Sequence, residues 1–219
     1  MYKYNTPQEL FTAICDKIRD KTNSNELINH QDIPDKIDNL VDSDIINEYN
    51  ELLSIIINQD TIIELNNNEI ENINISFTDC TNLTTVNLPK CTSINRYAFN
   101  NCNNLTTINL PKCTDIEYGA FANCRGLTTV NLPECTSIGE YAFNDCTSLT
   151  TVILSNNQVA TLGSIYAFNN SAISARAGYV YVPDNLVNSY KTATNWSTYA
   201  NQIKPLSELP SELKEEYNL

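Results

Sequence analysis

Histidine occurs once in this sequence, at His30, and glycine only five times in 219 residues. A Ser-His-Asp or Cys-His arrangement would rest on that single imidazole, which lies in a polar stretch. Neither G-x-x-x-x-G-K-[ST] nor G-x-G-x-x-G occurs, so no phosphate-cradling loop is expected. No run of about 18 apolar residues is present, which argues against a membrane-spanning helix. Basic residues are scarce: 13 Lys and Arg stand against 26 Asp and Glu, giving a net charge of -13. With no basic stripe, the chain is not expected to bind nucleic acid or anionic membranes. Most of the excess acid lies in residues 1–79, where it solvates the surface; Asp42 and Asp44 belong to such a solvated face. The expectation is a protein without catalytic activity, cofactor or metal.

What is abundant is repetition. From Cys80 the chain reads CTNLTTVNLPKCTSINRYAFNN, CNNLTTINLPKCTDIEYGAFAN and CRGLTTVNLPECTSIGEYAFND, three blocks of 22. A fourth, CTSLTTVILSNNQVATLGSIYAFNN, is stretched to 25 and ends at Asn170. A fixed period in this range marks a solenoid, whose units bury their apolar faces against their neighbours. Leu83, Val86 and Leu88 recur at 105, 108 and 110, at 127, 130 and 132, and at 149, 152 and 154. That spacing ends in strict alternation, as in a strand with one buried face. Pro89, Pro111 and Pro133 end each strand, because proline cannot donate to the next ladder. Ile94, Ala98 and Phe99, with their counterparts, are expected to plug the opposite side of each coil. Tyr166, Ala167 and Phe168 are expected to close the fourth.

The repeat LTTVNLP…TSIGEYAFNDC resembles the BspA-like leucine-rich repeats of bacterial surface proteins over about residues 77–182. The resemblance implies an α/β leucine-rich-repeat solenoid with a parallel sheet on its concave side, in proteins that mostly serve adhesion or binding. A second cysteine per repeat, and Ser155-Asn156-Asn157 in place of Pro-Lys-Cys, depart from the family pattern.

Seven of the eight cysteines, Cys80 to Cys146, fall every 11 residues and so form two columns. Equivalent residues of stacked parallel coils lie about 4.8 Å apart, slightly beyond the roughly 3.5–4.5 Å between Cβ atoms that a disulfide needs. The number is odd and no C-x-x-C pair offers zinc spacing. Buried free thiols acting as small hydrophobes are expected.

Upstream, Thr6-Pro7-Gln8-Glu9 is a capping box ahead of a helical stripe at Leu10, Ile14 and Ile18. Further helices are expected from about Ile33-Pro34 through Leu40 and from Ile45 to Ile57. The segment AICDKIRDKTNSNELINHQDIPDKIDNL resembles one common in phage and prophage tail-associated proteins, matching at Ile14, Asp16, Ile18, Arg19, Lys21, Thr22, Ile33, Pro34 and Ile37. This implies a virion or tail setting, with residues 1–57 as an assembly or homo-oligomerisation unit; a plain helical cap is the alternative. The opening MYKYNTPQEL is not a basic-then-apolar leader. The protein is therefore expected in the cytoplasm until assembly or release, at a virion or bacterial cell surface afterwards, unless a leader lies outside this sequence.

Residues 58–182 are expected to form the solenoid, beginning with a degenerate coil in which Phe77 stands 22 before Phe99. Residues 183–219 are expected to cap it. Tyr179 to Pro183 reads as a last strand, and Asp184 as the cap of a helix carrying Leu186, Val187, Tyr190, Trp196 and Tyr199. Ser207 to Leu219 is expected to fray.

Partners are expected to be protein or surface glycan. Outward strand positions form the columns Thr85, Thr107, Thr129, Thr151 and Asn87, Asn109, Asn131, Ile153. Such columns hydrogen-bond along the stack and also present a flat polar surface suited to glycans. Positions that vary between copies include Arg96, Tyr97, Tyr118, Tyr141 and Arg125, which suit a partner that selects by residue identity, though drift at tolerant positions gives the same pattern. The role implied is a non-catalytic binding or structural module: a tail-associated protein recognising a host surface, a BspA-like adhesin, or a cytoplasmic scaffold.

Overall fold

The computed structural model describes residues 72–73 and 77–219. The expected helices before residue 58 lie outside the described residues.

From Leu83 onward each 22-residue block makes one coil, and the coils stack in register. One side of the stack carries β2 (Thr85–Asn87), β4 (Thr107–Asn109), β6 (Thr129–Asn131), β8 (Thr151–Ile153) and β10 (Tyr179–Val182). Another carries β1 (Asn72–Ile73), β3 (Ser93–Ile94), β5 (Asp115–Ile116), β7 (Ser137–Ile138) and β9 (Thr161–Leu162). All pairings between described strands are parallel, and the offset from coil to coil is the repeat itself: Thr85 faces Thr107, Ile94 faces Ile116. The second set forms one continuous five-stranded sheet. The first divides into a pair, β2-β4, and a four-stranded sheet ordered β11-β10-β8-β6, with β11 at Ile203–Pro205.

The expected strand accounts for the first set; the second sheet was not anticipated. Its strands are two residues long, too short to show alternation, and in β3, β5, β7 and β9 it is Ile94, Ile116, Ile138 and Leu162 that turn inward. Two of the fourth coil's three extra residues fall between β8 and β9 and the third between β9 and Tyr166, so both sheets keep their register: Ser137 faces Thr161.

Leu83, Val86 and Leu88 and their counterparts in the other three copies are buried. Behind them Phe77, Phe99, Phe121, Phe143 and Phe168 form one ring column, with successive centroids 5.2, 5.3, 5.5 and 5.6 Å apart and nearly parallel planes. Each ring fills the space beneath the next, as close packing of an interior requires.

The column ends on a lid. Trp196 and Tyr199 cover Phe168 at 6.0 and 5.6 Å. Their polar atoms satisfy the last coil's exposed backbone: Trp196 Nε1–H donates to the Ala160 carbonyl at 2.7 Å, and the Tyr199 hydroxyl to that of Ile165 at 2.5 Å. The Tyr190 hydroxyl accepts from the Ala160 amide at 3.0 Å, and Asn195 donates to the Leu162 carbonyl at 2.7 Å. Buried backbone groups left unpaired would be costly, so the lid supplies bonds that a fifth coil would otherwise make.

Three expectations are corrected here. Asp184 makes no side-chain cap; its carboxylate accepts from the Ser207 amide at 3.0 Å, and the helix α1 is short, Val187–Thr192. Hydrogen bonding from the Ser207 side chain, and then from its amide, lowers the Asp184 pKa. Residues 207–219 are structured: α2 spans Ser211–Tyr217, and Leu209 is buried against Ile153 and Tyr181. Ile153, assigned to an outward column, is thereby fully covered. The tail's few apolar residues meet the one apolar member of an otherwise Thr/Asn column.

Leu127 is completely buried in the third coil. Leu127→Ala should destabilise the protein by about 2–5 kcal/mol through the unfilled cavity, measured by urea denaturation. A change within about 0.5 kcal/mol, the range of ordinary surface substitutions, would contradict the buried-strand assignment.

Candidate functional site

Each coil must turn sharply twice where glycine is nearly absent. One turn falls just before the first cysteine of each repeat. Asp79, Asn101, Asn123, Asp145 and Asn170 occupy it with φ of 63°, 61°, 63°, 57° and 55°. Asn and Asp tolerate this left-handed conformation better than other non-glycine residues. Their side chains also bond along the stack: Asn101 donates to Asp79 at 2.8 Å and Asn170 to Asp145 at 3.0 Å.

The other turn follows the second sheet, and its occupants are unusual. Tyr97 and Tyr141 are left-handed, with φ of 57° and 56°, and Gly119 holds the equivalent place at 60°. In the coil with glycine the tyrosine moves one place upstream, to Tyr118, yet its ring joins the same row. Ring centroids step 5.3 Å from Tyr97 to Tyr118, 5.5 Å to Tyr141 and 5.6 Å to Tyr166. A Cβ at residue 119 would come within 2.7 Å of the Tyr97 ring. Gly119 therefore serves the turn and makes room for the neighbouring ring.

The result is an aromatic ridge on the protein surface. Tyr97 is 40% exposed, Tyr166 45% and the adjoining Ile165 42%; Tyr118 and Tyr141 are half-buried. The Arg96 guanidinium lies 4.4 Å from the Tyr118 ring centroid and 5.5 Å from that of Tyr97, within cation–π range. The Arg96 amide donates to the Glu117 carboxylate at 3.0 Å. A hydrogen bond with Tyr97, followed by partial desolvation, raises the Tyr118 pKa.

Arg96, Tyr97, Tyr118 and Tyr141 are thus brought together. Tyr166 was missed, because it had been assigned to closing the fourth coil; its ring lies outside. The signal was available: with 25 residues allowed for that copy, Tyr166-Ala167-Phe168 aligns with Tyr141-Ala142-Phe143. Thr85, Thr107, Thr129, Thr151, Asn87, Asn109 and Asn131 lie on the first set of strands, exposed or half-buried. Asn109 Nδ2 donates to Asn87 Oδ1 at 2.7 Å, so that part of the column bonds along the stack. Arg125 is exposed in the turn leading into β6. A shallow groove of about 480 Å³ lies at the Pro-Lys-Cys corners, lined by Lys90, Thr92, Lys112, Thr114 and Glu134.

The two thiol columns are internal. Among the described residues seven cysteines are free; all are buried except the half-buried Cys80. Cys102, Cys124 and Cys146 donate to the carbonyls of Phe77, Phe99 and Phe121 at 3.1–3.2 Å. Cys91, Cys113 and Cys135 donate to those two residues ahead, at 3.2–3.3 Å. Burial pushes Cys80 from 9.0 up to about 11, and Cys135 and Cys146 to about 12. No group of three His, Cys, Asp or Glu among the described residues could hold a metal. No helix among them is long and apolar enough to cross a membrane.

Stacked parallel coils with an internal Leu, Phe and Cys lattice and side chains displayed in columns define a leucine-rich-repeat solenoid. The family model described as BspA type leucine-rich repeat region (6 copies) matches residues 73–193, more than half of the chain, and the protein belongs to that family. Among solved structures, a leucine-rich repeat protein from Bacteroides ovatus is similar at 23% identity and a TM-score of 0.51, over 67% of this chain and 36% of that one. A leucine rich cell surface protein from Faecalibacterium prausnitzii is similar at 24% identity and a TM-score of 0.41, over 56% and 38%. The chain thus spans little more than a third of the length of either. No curated protein matches it.

Gly119→Ala should destabilise the protein by about 1–3 kcal/mol, from left-handed strain plus displacement of the Tyr97 ring; wild-type stability in urea would refute the turn's role. The thiols give a pH dependence. The folded state retains protons that unfolded thiols release near 9.0, so stability is full below that pH. It falls as pH rises from about 9 toward about 12, by up to about 1.4 kcal/mol per thiol per pH unit. Replacing Cys135 and Cys146 by alanine should make the alkaline decline measurably shallower. An unchanged slope would show that these thiols do not contribute to it.

Proposed function

We propose that this protein is a non-catalytic recognition module that engages a cell surface through the tyrosine ridge. The observation that carries this reading is the left-handed backbone of Tyr97 and Tyr141. A bulky residue at positive φ costs about 1–2 kcal/mol, and the chain places Asn or Asp at its other left-handed column. Tyrosine at these turns therefore has a use other than making the turn. Strain held at an exposed position points to a function of the side chain. Tyrosine and arginine are the residues that most often carry binding energy at interfaces, and Arg96 lies against this row.

For the setting, the tail-like segment at residues 13–40 supports a phage or prophage tail-associated protein that recognises a host surface, with residues 1–57 making the assembly contact. The alternative is a BspA-like adhesin binding host protein or glycan, which the repeat itself supports; a cytoplasmic scaffold fits the free thiols. A trimer or hexamer by light scattering in reducing buffer would favour the tail reading, and a monomer the other two.

The ridge is tested by two variants. Tyr118→Ala removes a central ring; Tyr141→Asn removes another while placing a residue suited to the left-handed turn. Each should weaken binding to intact bacterial or epithelial cells at least tenfold by flow cytometry, about 1.4 kcal/mol or more. Tyr141→Asn should leave the melting temperature within a few degrees of wild type. Cell binding unchanged in both variants would overturn the assignment.

A further inference from the structure

The ridge has a period, and the period carries information about what fits it. The four rings advance by 5.3, 5.5 and 5.6 Å, one per coil. A ligand that touches all four must be linear and must present an equivalent group at nearly the same interval. Its charge is also constrained. Arg96 is accompanied by Glu117, whose carboxylate its amide engages, and Glu140 immediately precedes Tyr141 of the row. The ridge therefore offers no field of one sign, and the whole chain, at -13, repels extended anions. A phenol row is amphipathic, apolar on the ring and hydrogen-bonding at the hydroxyl. Its complement is a ring that is apolar on its C–H face and carries hydroxyls at its edge.

We infer that the ligand of the ridge is a neutral, extended β-linked glycan, one pyranose ring to each tyrosine; this rests on the recognition reading above. A β-1,4-linked chain of glucose or N-acetylglucosamine advances by one sugar over nearly the distance that separates the tyrosine rings. Glu117 and Glu140 stand beside the row as acceptors for sugar hydroxyls. Each coil contributes one ring, two steps meeting edge-on at 73° and 62° and the last nearly parallel at 9°, and linking such weak contacts along one polymer raises the combined affinity far above that of a single contact. A folded protein surface offers no such repeat along which the four contacts could be linked.

The test is calorimetric titration of the full chain with β-1,4-linked glucose and N-acetylglucosamine oligomers of two, four and six rings, with hyaluronan fragments as the anionic counterpart. Affinity for at least one neutral series should rise at least tenfold from two rings to four and level off by six. Tyr118→Ala, which interrupts the row, should reduce tetramer binding to the dimer level, and the hyaluronan fragments should not bind. A neutral oligomer that binds without length dependence, or equally well to Tyr118→Ala, overturns the inference. If no neutral oligomer binds while cell binding still depends on the tyrosines, the glycan assignment fails and the ridge stands with a protein partner. If cell binding does not depend on the tyrosines, the ridge reading itself has failed.

Discussion

The register between coils is the constraint on which everything else depends. Parallel backbone pairing fixes the spacing of neighbouring coils near the interstrand distance, about 4.8 Å, and a 22-residue period returns the same residue to the same place. Once that holds, one residue type at one repeat position becomes a column. The phenylalanines stack because their backbones do. Cys102, Cys124 and Cys146 bond to carbonyls a coil away for the same reason. Threonine hydroxyls cap the ladders, as Thr114 does to the Thr92 carbonyl and Thr136 to that of Thr114, both at 3.1 Å. No single contact is strong; the stability is the sum of near-identical nearest-neighbour terms.

How much of this could be read beforehand depended on how local the cause was. The buried face of β2, β4, β6 and β8 follows from alternation at Leu83, Val86 and Leu88, a property of six residues, and it was legible. The second sheet was not, because Ser93–Ile94 is too short for any periodicity. Asp184 sits where a helix cap is usual, but its partner, the Ser207 amide, lies 23 residues downstream. Ile153 looked like an outward residue by position, and only the fold of residues 206–217 covers it. The free state of the thiols was legible from spacing, whereas their bonds to carbonyls required the coil geometry.

The candidate site was half legible for a related reason. Variation between copies drew attention to Arg96, Tyr97, Tyr118 and Tyr141, but variation alone says nothing about whether side chains meet. Tyr118 is out of step with Tyr97 and Tyr141 in the sequence, and only the turn geometry, with Gly119 in the left-handed place, returns its ring to the row. The Thr and Asn columns attracted equal attention through their uniformity. Asn87 and Asn109 are bonded to one another, so this uniformity already has a cause inside the fold.

The stretched fourth coil shows where this architecture tolerates change. Two of its three additional residues lie between β8 and β9, at the corner where the other coils have Pro-Lys-Cys or Pro-Glu-Cys, the third lies between β9 and Tyr166, and neither sheet slips. Insertions smaller than a whole period are thus absorbed in the turns on either side of β9, while a whole period merely adds a storey beneath the lid. A gene built this way can lengthen its display by copying one unit, because each new coil brings its own backbone pairing, phenylalanine and surface ring. Reach becomes a matter of copy number rather than of redesign.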